Sequence, residues 1–164
     1  MNNKYIGIDN GLNGAICVLQ DNKLIDILVM PILQSGTGRN EYDVYLIMSF
    51  LKKHVDAIVI LEKAQYTPMM GGIAVFSFAK NYGIMIGLLT ALNMQYHIVH
   101  AKTWQGKLFK DQSHDDTKQA SAIVAQRLFP GIDFRATDRS KKLHDGKTDA
   151  ALLSYFGAHY LFDK

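Results

Sequence analysis

Hydrophobic residues arrive in short bursts over the first thirty positions and in longer, helix-spaced runs after them. "KYIGID", "GAICVLQ" and "KLIDILVM" are rich in β-favouring side chains and are separated by "NGLN" and "DN". Residues 4 to 31 therefore predict three antiparallel strands joined by tight turns. The polar, glycine-containing "PILQSGTGRNE" predicts a loop, and "YDVYLIMSFLKKH" a helix with Lys and His at its C-terminal end. "DAIVILEKAQ" reads as a buried strand that meets a carboxylate at its end, and "YTPMMGG" as a loop. The apolar "IAVFSFAKNYGIMIGLLTALN" predicts a long helix, "QYHIVH" another strand and "AKTWQGKLF" a short helix. "DDTKQASAIVAQRLF" predicts a helix with Asp115 and Asp116 as cap candidates. "RATDRSKK" is a basic loop, and a final helix starts near Asp145. This order predicts an α/β or α+β layered domain: a mixed five-stranded sheet with helices on its faces.

The chain has 164 residues with no repeat, low-complexity tract or linker, which suits one domain spanning 1–164. Its 48% hydrophobic and 20% charged content excludes the disordered and fibrous classes. No run of 18 uncharged apolar residues occurs, so no membrane span is expected. The N-terminus enters a strand directly, without the apolar region of a secretory signal, and a cytoplasmic location follows as the expectation. Cys17, the single cysteine, lies in "AICVL" and reads as a core residue in a reducing compartment. Net charge is +3, from 18 Lys and Arg against 15 Asp and Glu. The stretch from His97 to Lys147 holds ten Lys or Arg, six acids and four histidines. A basic surface around a cluster of acids is what a metal-dependent nuclease requires.

Three places carry acids where an apolar core is expected. Asp9 ends the first strand, before a glycine-rich turn; it reads as a site carboxylate or as a turn residue accepting backbone N–H bonds. Glu62 follows an apolar run, and only Glu41 accompanies it as a glutamate in the whole chain. Buried glutamate is rarely tolerated unpaired, so Glu62 either has a partner or swings to solvent. Asp145 and Asp149, in "HDGKTDAALL", share one helical face at i,i+4, a like-charge pair that costs a free helix about 0.2–0.5 kcal/mol. Capping accounts for Asp145 but poorly for Asp149. Together these acids can converge on hard divalent cations, whose charge offsets their repulsion. Two such ions about 4 Å apart activate water and stabilise the leaving oxygen in phosphodiester cleavage.

The segments "GIDNGLNGA", "VILEKAQ", "VHAKTWQ", "RLFP" and "HDGKTDAALL" resemble, in order and over nearly the whole chain, the RuvC-like Holliday junction resolvases, most closely the small versions of bacteriophages. The resemblance implies an RNase H-like fold, a homodimer, two Mg²⁺ (or Mn²⁺) per active site, and paired nicks across four-way DNA junctions. It implies work in the cytoplasm of a bacterium or phage-infected host, with branched DNA as partner. It makes Asp9, Glu62 and Asp149 metal-binding catalytic residues. Cellular resolvases place the fourth ligand three residues before the last aspartate, where this chain has Gly146; Asp145 is the substitute, with His144 as runner-up. Lys147 becomes a candidate to neutralise the scissile phosphate, or a solvated lysine. Lys63, Lys102, Lys107, Lys110 and Lys118 become candidate DNA-backbone contacts, as do Arg135, Arg139, Lys141 and Lys142. Tyr66, Met69 and Met70 fall where the family places apolar residues at the junction centre. The long apolar helix is expected between the sheet and a second subunit. Trp104 reads as core rather than as a base-stacking platform.

Other readings share parts of this pattern. The phosphate-binding strand of the actin and sugar-kinase superfamily also resembles "GIDNGLNGA", but those proteins close two such domains over ATP. A binding module that keeps the fold gains nothing from acids facing phosphates. A nuclease for flaps, other branches or RNA–DNA hybrids differs from a resolvase mainly in dimer geometry, and the sequence leaves that alternative open.

Overall fold

The computed structural model describes residues 4–34, 40–65, 68–110 and 117–162. Strands β1 (Lys4–Asp9), β2 (Ala15–Gln20) and β3 (Lys23–Val29) form the predicted antiparallel meander. The β2–β3 turn is the two-residue "DN", with Asp21 at φ 49° and Asn22 at φ 63°. Both lie in the left-handed region that a hairpin turn of this length requires and that Asp and Asn tolerate. The β1–β2 connection is longer than the expected tight turn, running from Asn10 to Gly14. The segment expected to be only a loop carries a small hairpin, β4 (Ile32–Gln34) with β5 (Asn40–Tyr42), whose three-residue strands are too short to leave a periodic signal. Helix α1 (Val44–Lys52) is capped by Asp43, whose side chain accepts from the Leu46 N–H.

Strand β6 (Ile58–Glu62) pairs parallel with β1, and β7 (Tyr96–Val99) pairs parallel with β6 after helix α2 (Gly72–Ala91). The mixed five-stranded sheet has the order β3-β2-β1-β6-β7. Helices α3 (Ala101–Leu108), α4 (Thr117–Leu128) and α5 (Asp145–Tyr160) complete the chain. The start proposed for α4, with Asp115 and Asp116, lies outside the described residues.

Strand alternation divides the core in two. Ile6, Ile8, Ile16, Val18, Val59 and Leu61 point to the α1–α2 side. Ala15, Cys17, Leu19 and Ile60 point to the side covered by α3, α4 and α5, where Trp104 is fully buried as expected. On that side α5 lies directly on β1. A Cβ at Gly7 would come within 1.9 Å of the Ala150 carbonyl oxygen and 2.5 Å of the Ser154 nitrogen, so only glycine permits the approach.

Helix α2 meets the core along one stripe and leaves its other side exposed in the single chain. Only Asn81, Met85 and Leu89 enter the core, while Ile73 and Phe76 are 65% and 70% exposed. Among the described residues it is the one helix long and apolar enough, by length and composition, to cross a membrane. Its inner stripe nevertheless belongs to the folded core, and Lys80 near its middle pairs with Glu41 on β5 at 2.7 Å.

Candidate functional site

Parallel pairing sets the first two acids side by side. Ile8 is in register with Leu61, so the next residues, Asp9 and Glu62, end adjacent strands. Both lie on the α5 side, because they alternate with Ile8 and Leu61, which face the other way. The first turns of α5 come over these strand ends carrying Asp145 and Asp149. Asp9, Glu62 and the following Lys63, Ala64 and Gln65 line a cleft of about 240 Å³, with Phe78 of α2 and Ala101 of α3 on its far wall.

The four carboxylates share one electrostatic field. Burial pushes the Asp9 carboxyl above its ordinary range, and Asp145 adds to the rise against a 3.2 Å hydrogen bond from the Gly11 N–H. Burial raises Glu62 to about 7, with repulsion from Asp9 and Asp149 contributing. Burial likewise raises Asp149 to about 7, with Asp9 and Asp145 adding and Ser121 and Lys118 opposing. Each acid that α5 or β6 supplies has taken a donor from α3 or α4. The Trp104 indole donates to Glu62 at 3.4 Å, Ser121 hydrogen-bonds Asp149, and Lys118 meets Asp145 at 2.9 Å.

Among the described residues no three His, Cys, Asp or Glu side chains form a ready-made cage for an ion. The donor chemistry nevertheless fits a hard divalent cation. All four acids offer oxygen ligands, and Asp149 Oδ1 is buried without a hydrogen-bond partner.

The fourth position has a steric explanation. A Cβ at residue 146 would lie 2.4 Å from the Asn13 carbonyl oxygen, 2.6 Å from Gly14 Cα and 2.7 Å from Gly14 C. No side chain fits at residue 146 while α5 rests on the β1–β2 loop, so any fourth carboxylate on this turn would come from a neighbouring position. His144 is the N-cap of α5, its Nδ1 accepting from the Lys147 N–H at 3.2 Å. Burial lowers its pKa, the Lys147 charge adding to the effect, and this favours a neutral ring whose proton sits on Nε2. A nitrogen that carries a proton and one that caps a helix leave His144 no free lone pair. Asp145, one-third exposed and coupled to Asp9 and Asp149, has oxygens to offer.

The softer candidates scatter. The Lys147 ammonium donates to the Arg135 carbonyl, fastening the basic loop to α5 rather than facing the cleft. Arg135 itself is held by Asp133 and the Asp138 carbonyl, and the loop closes through a bridge from Arg135 to Leu143. Arg139, Lys141 and Lys142 project from that loop into solvent. Lys63 lies at the cleft 3.4 Å from His100, and Lys102 borders an adjoining groove with Gln65, His100 and Thr103. Lys107 and Lys110 border a separate hollow with Arg127, Tyr155 and Tyr160. Met69 is 96% exposed and Met70 half-buried at the entrance to α2; Tyr66 lies outside the described residues. The sequence reading did not assign Trp104 and Ser121 to the site. No sequence signal marked either: the Trp104 contact follows from the pairing of Glu62 with Val99, the last residue of β7, just before α3 begins.

The fold is that of solved RuvC structures. RuvC of Thermus thermophilus, solved in complex with a Holliday junction substrate, superposes with a TM-score of 0.60 at 11% identity, covering 94% of each chain. A second Thermus thermophilus RuvC structure gives 0.60 at 12% identity, over 94% of this chain and 95% of that one. The yeast mitochondrial Holliday junction resolvase Ydc2 gives 0.60 at 13% identity, over 92% of this chain and 75% of its own. No family model matches the chain, and no curated protein sequence matches it.

Proposed function

We propose that this protein is a divalent-metal-dependent endonuclease that resolves four-way DNA junctions by paired symmetric nicks. The observation that carries the reading is the placement of Asp9, Glu62, Asp145 and Asp149, from two adjacent strands and the helix above them, in one electrostatic field at the edge of a RuvC-like sheet. Burial, with mutual repulsion added, raises the pKa values of Asp9, Glu62 and Asp149 and destabilises the site, an arrangement with no evident structural return. Mg²⁺ ions, or Mn²⁺ in their place, held by these four residues would supply a Lewis acid that activates water and neutralises charge on the departing 3′-oxygen.

The chain's own groups do the rest. Asp9 is the central acid, coupled to each of the others. Trp104, Ser121 and Lys118 orient the remaining three. Lys63 and Lys102 beside the cleft suit the incoming phosphate backbone. The exposed Ile73 and Phe76 of α2, in a helix otherwise apolar, support a homodimer in which a second copy covers this face. Such a dimer presents two clefts related by a two-fold axis, which is the symmetry that paired nicks require.

Replacing Asp9 with Asn tests the reading. The expected outcome is loss of cleavage by several orders of magnitude with junction binding kept or strengthened, since one repulsive charge has gone. A folded Asp9→Asn protein that still cuts at the wild-type rate would refute it.

A further inference from the structure

Strand β6 delivers Glu62 after four apolar residues, three of them fully buried, and α3 returns over that strand end immediately after β7. The side chain that α3 brings there is Trp104, 0% exposed, with its ring set edge-on to Phe109 at 5.5 Å. An indole N–H donates one hydrogen bond and accepts none, and a buried one left unpaired is costly. Here it goes to Glu62 Oε1. Nothing in packing alone demands a tryptophan that ends on a carboxylate; a phenylalanine would fill an apolar pocket without needing one.

We propose that Trp104 is a positioning residue for Glu62, holding the carboxylate in the orientation in which it takes part in cation binding. The inference rests on the nuclease reading above. The choice of donor has a chemical logic. A Lys or Arg in this place would neutralise Glu62 and compete with an incoming cation. The neutral indole orients one oxygen and leaves the full negative charge of the site in place. The aromatic contact with Phe109 and complete burial remove the ring's freedom, so the constraint reaches Glu62 through a fixed group.

The experiment uses the full chain, with Mn²⁺ alone as the probe, read by calorimetry and by the emission of Trp104, the chain's single tryptophan. In the wild type, emission is expected to change with the same midpoint as the calorimetric titration. Trp104→Phe is expected to weaken Mn²⁺ binding about ten-fold, the usual cost of losing a partner behind a metal ligand. Cleavage by this variant recovers at high Mn²⁺. Phe129→Leu perturbs the same core at a ring that meets Phe134 and Tyr155, and leaves the affinity unchanged. Wild-type affinity in Trp104→Phe, or an equal loss in Phe129→Leu, overturns the inference while leaving the nuclease reading intact. Should Trp104→Phe fail to fold, the wild-type titration decides alone: saturable binding with constant emission overturns the inference. A wild-type protein that binds no Mn²⁺ overturns the nuclease reading and this inference with it.

Discussion

Replacing Gly146 with Ala tests the steric account of the site with a single methyl group. That methyl would sit 2.4–2.7 Å from three backbone atoms of Asn13 and Gly14, none of which can rotate away as a side chain end can. Overpacking of this kind typically costs about 1–3 kcal/mol, and three backbone contacts place this site at the upper end. Alanine's better helix propensity returns at most about 1 kcal/mol. The net loss is about 2 kcal/mol, which for a domain of this size lowers Tm by roughly 4–8 °C. Gly106 of α3 supplies the matched control, since a Cβ there meets nothing within 4 Å and the residue is exposed. Gly106→Ala should raise Tm by about 2–4 °C, from about 1 kcal/mol of helix propensity. Paired thermal melts of the two variants without metal read both effects. Because the clash pushes Asp145 and Asp149 off the β1–β2 loop, Gly146→Ala should also weaken cation affinity. A Gly146→Ala protein that melts at or above the wild type would refute the contact and the argument that moves the fourth carboxylate to Asp145.

Two more outcomes follow from the same structure. In the metal-free protein Glu62 and Asp149 titrate near 7, against about 4 in an unfolded chain, so between those values the folded state binds more protons. Stability is therefore fully present below about pH 4 as far as these groups are concerned, and is lost as pH rises through 7. Metal-free protein should melt lower at pH 8 than at pH 5.5 in differential scanning calorimetry, and Glu62→Gln should flatten the difference; a higher melt at pH 8 contradicts the burial of these acids. Phe76→Asp, on the exposed face of α2, should leave the fold intact and turn the proposed dimer into a monomer in sedimentation equilibrium, whereas an unchanged mass would contradict a dimer formed through this face.

The sheet and the acids of the candidate site were legible because they rest on local signals. Short runs of β-favouring residues marked β1, β2, β3, β6 and β7, and acids placed after apolar strands marked Asp9 and Glu62. Asp149 stood out because capping accounts for Asp145 at i−4 but not for it. What was hidden depended on contacts between distant residues. That Gly146 lies against Asn13 and Gly14 follows from α5 descending onto the β1–β2 loop, over 130 residues earlier in the chain. The link from Trp104 to Glu62 depends on the parallel register of β6 with β7, which no window of sequence contains. The β4–β5 hairpin escaped because three-residue strands have no period. Helix α2 read as lying between the sheet and a second subunit; its inner stripe meets the core, and in the single chain most of the rest faces outward.

The central claim is best tested by cleavage of three labelled DNAs, an immobile four-way junction, a flap and a plain duplex, with and without Mg²⁺. The account predicts paired, symmetric nicks on the junction alone, leaving 5′-phosphate and 3′-hydroxyl ends, and none without the cation. Equal cutting of the flap would contradict junction selectivity and leave a general branch nuclease. Tight junction binding with no cleavage of any DNA in Mg²⁺ or Mn²⁺ would contradict the account altogether.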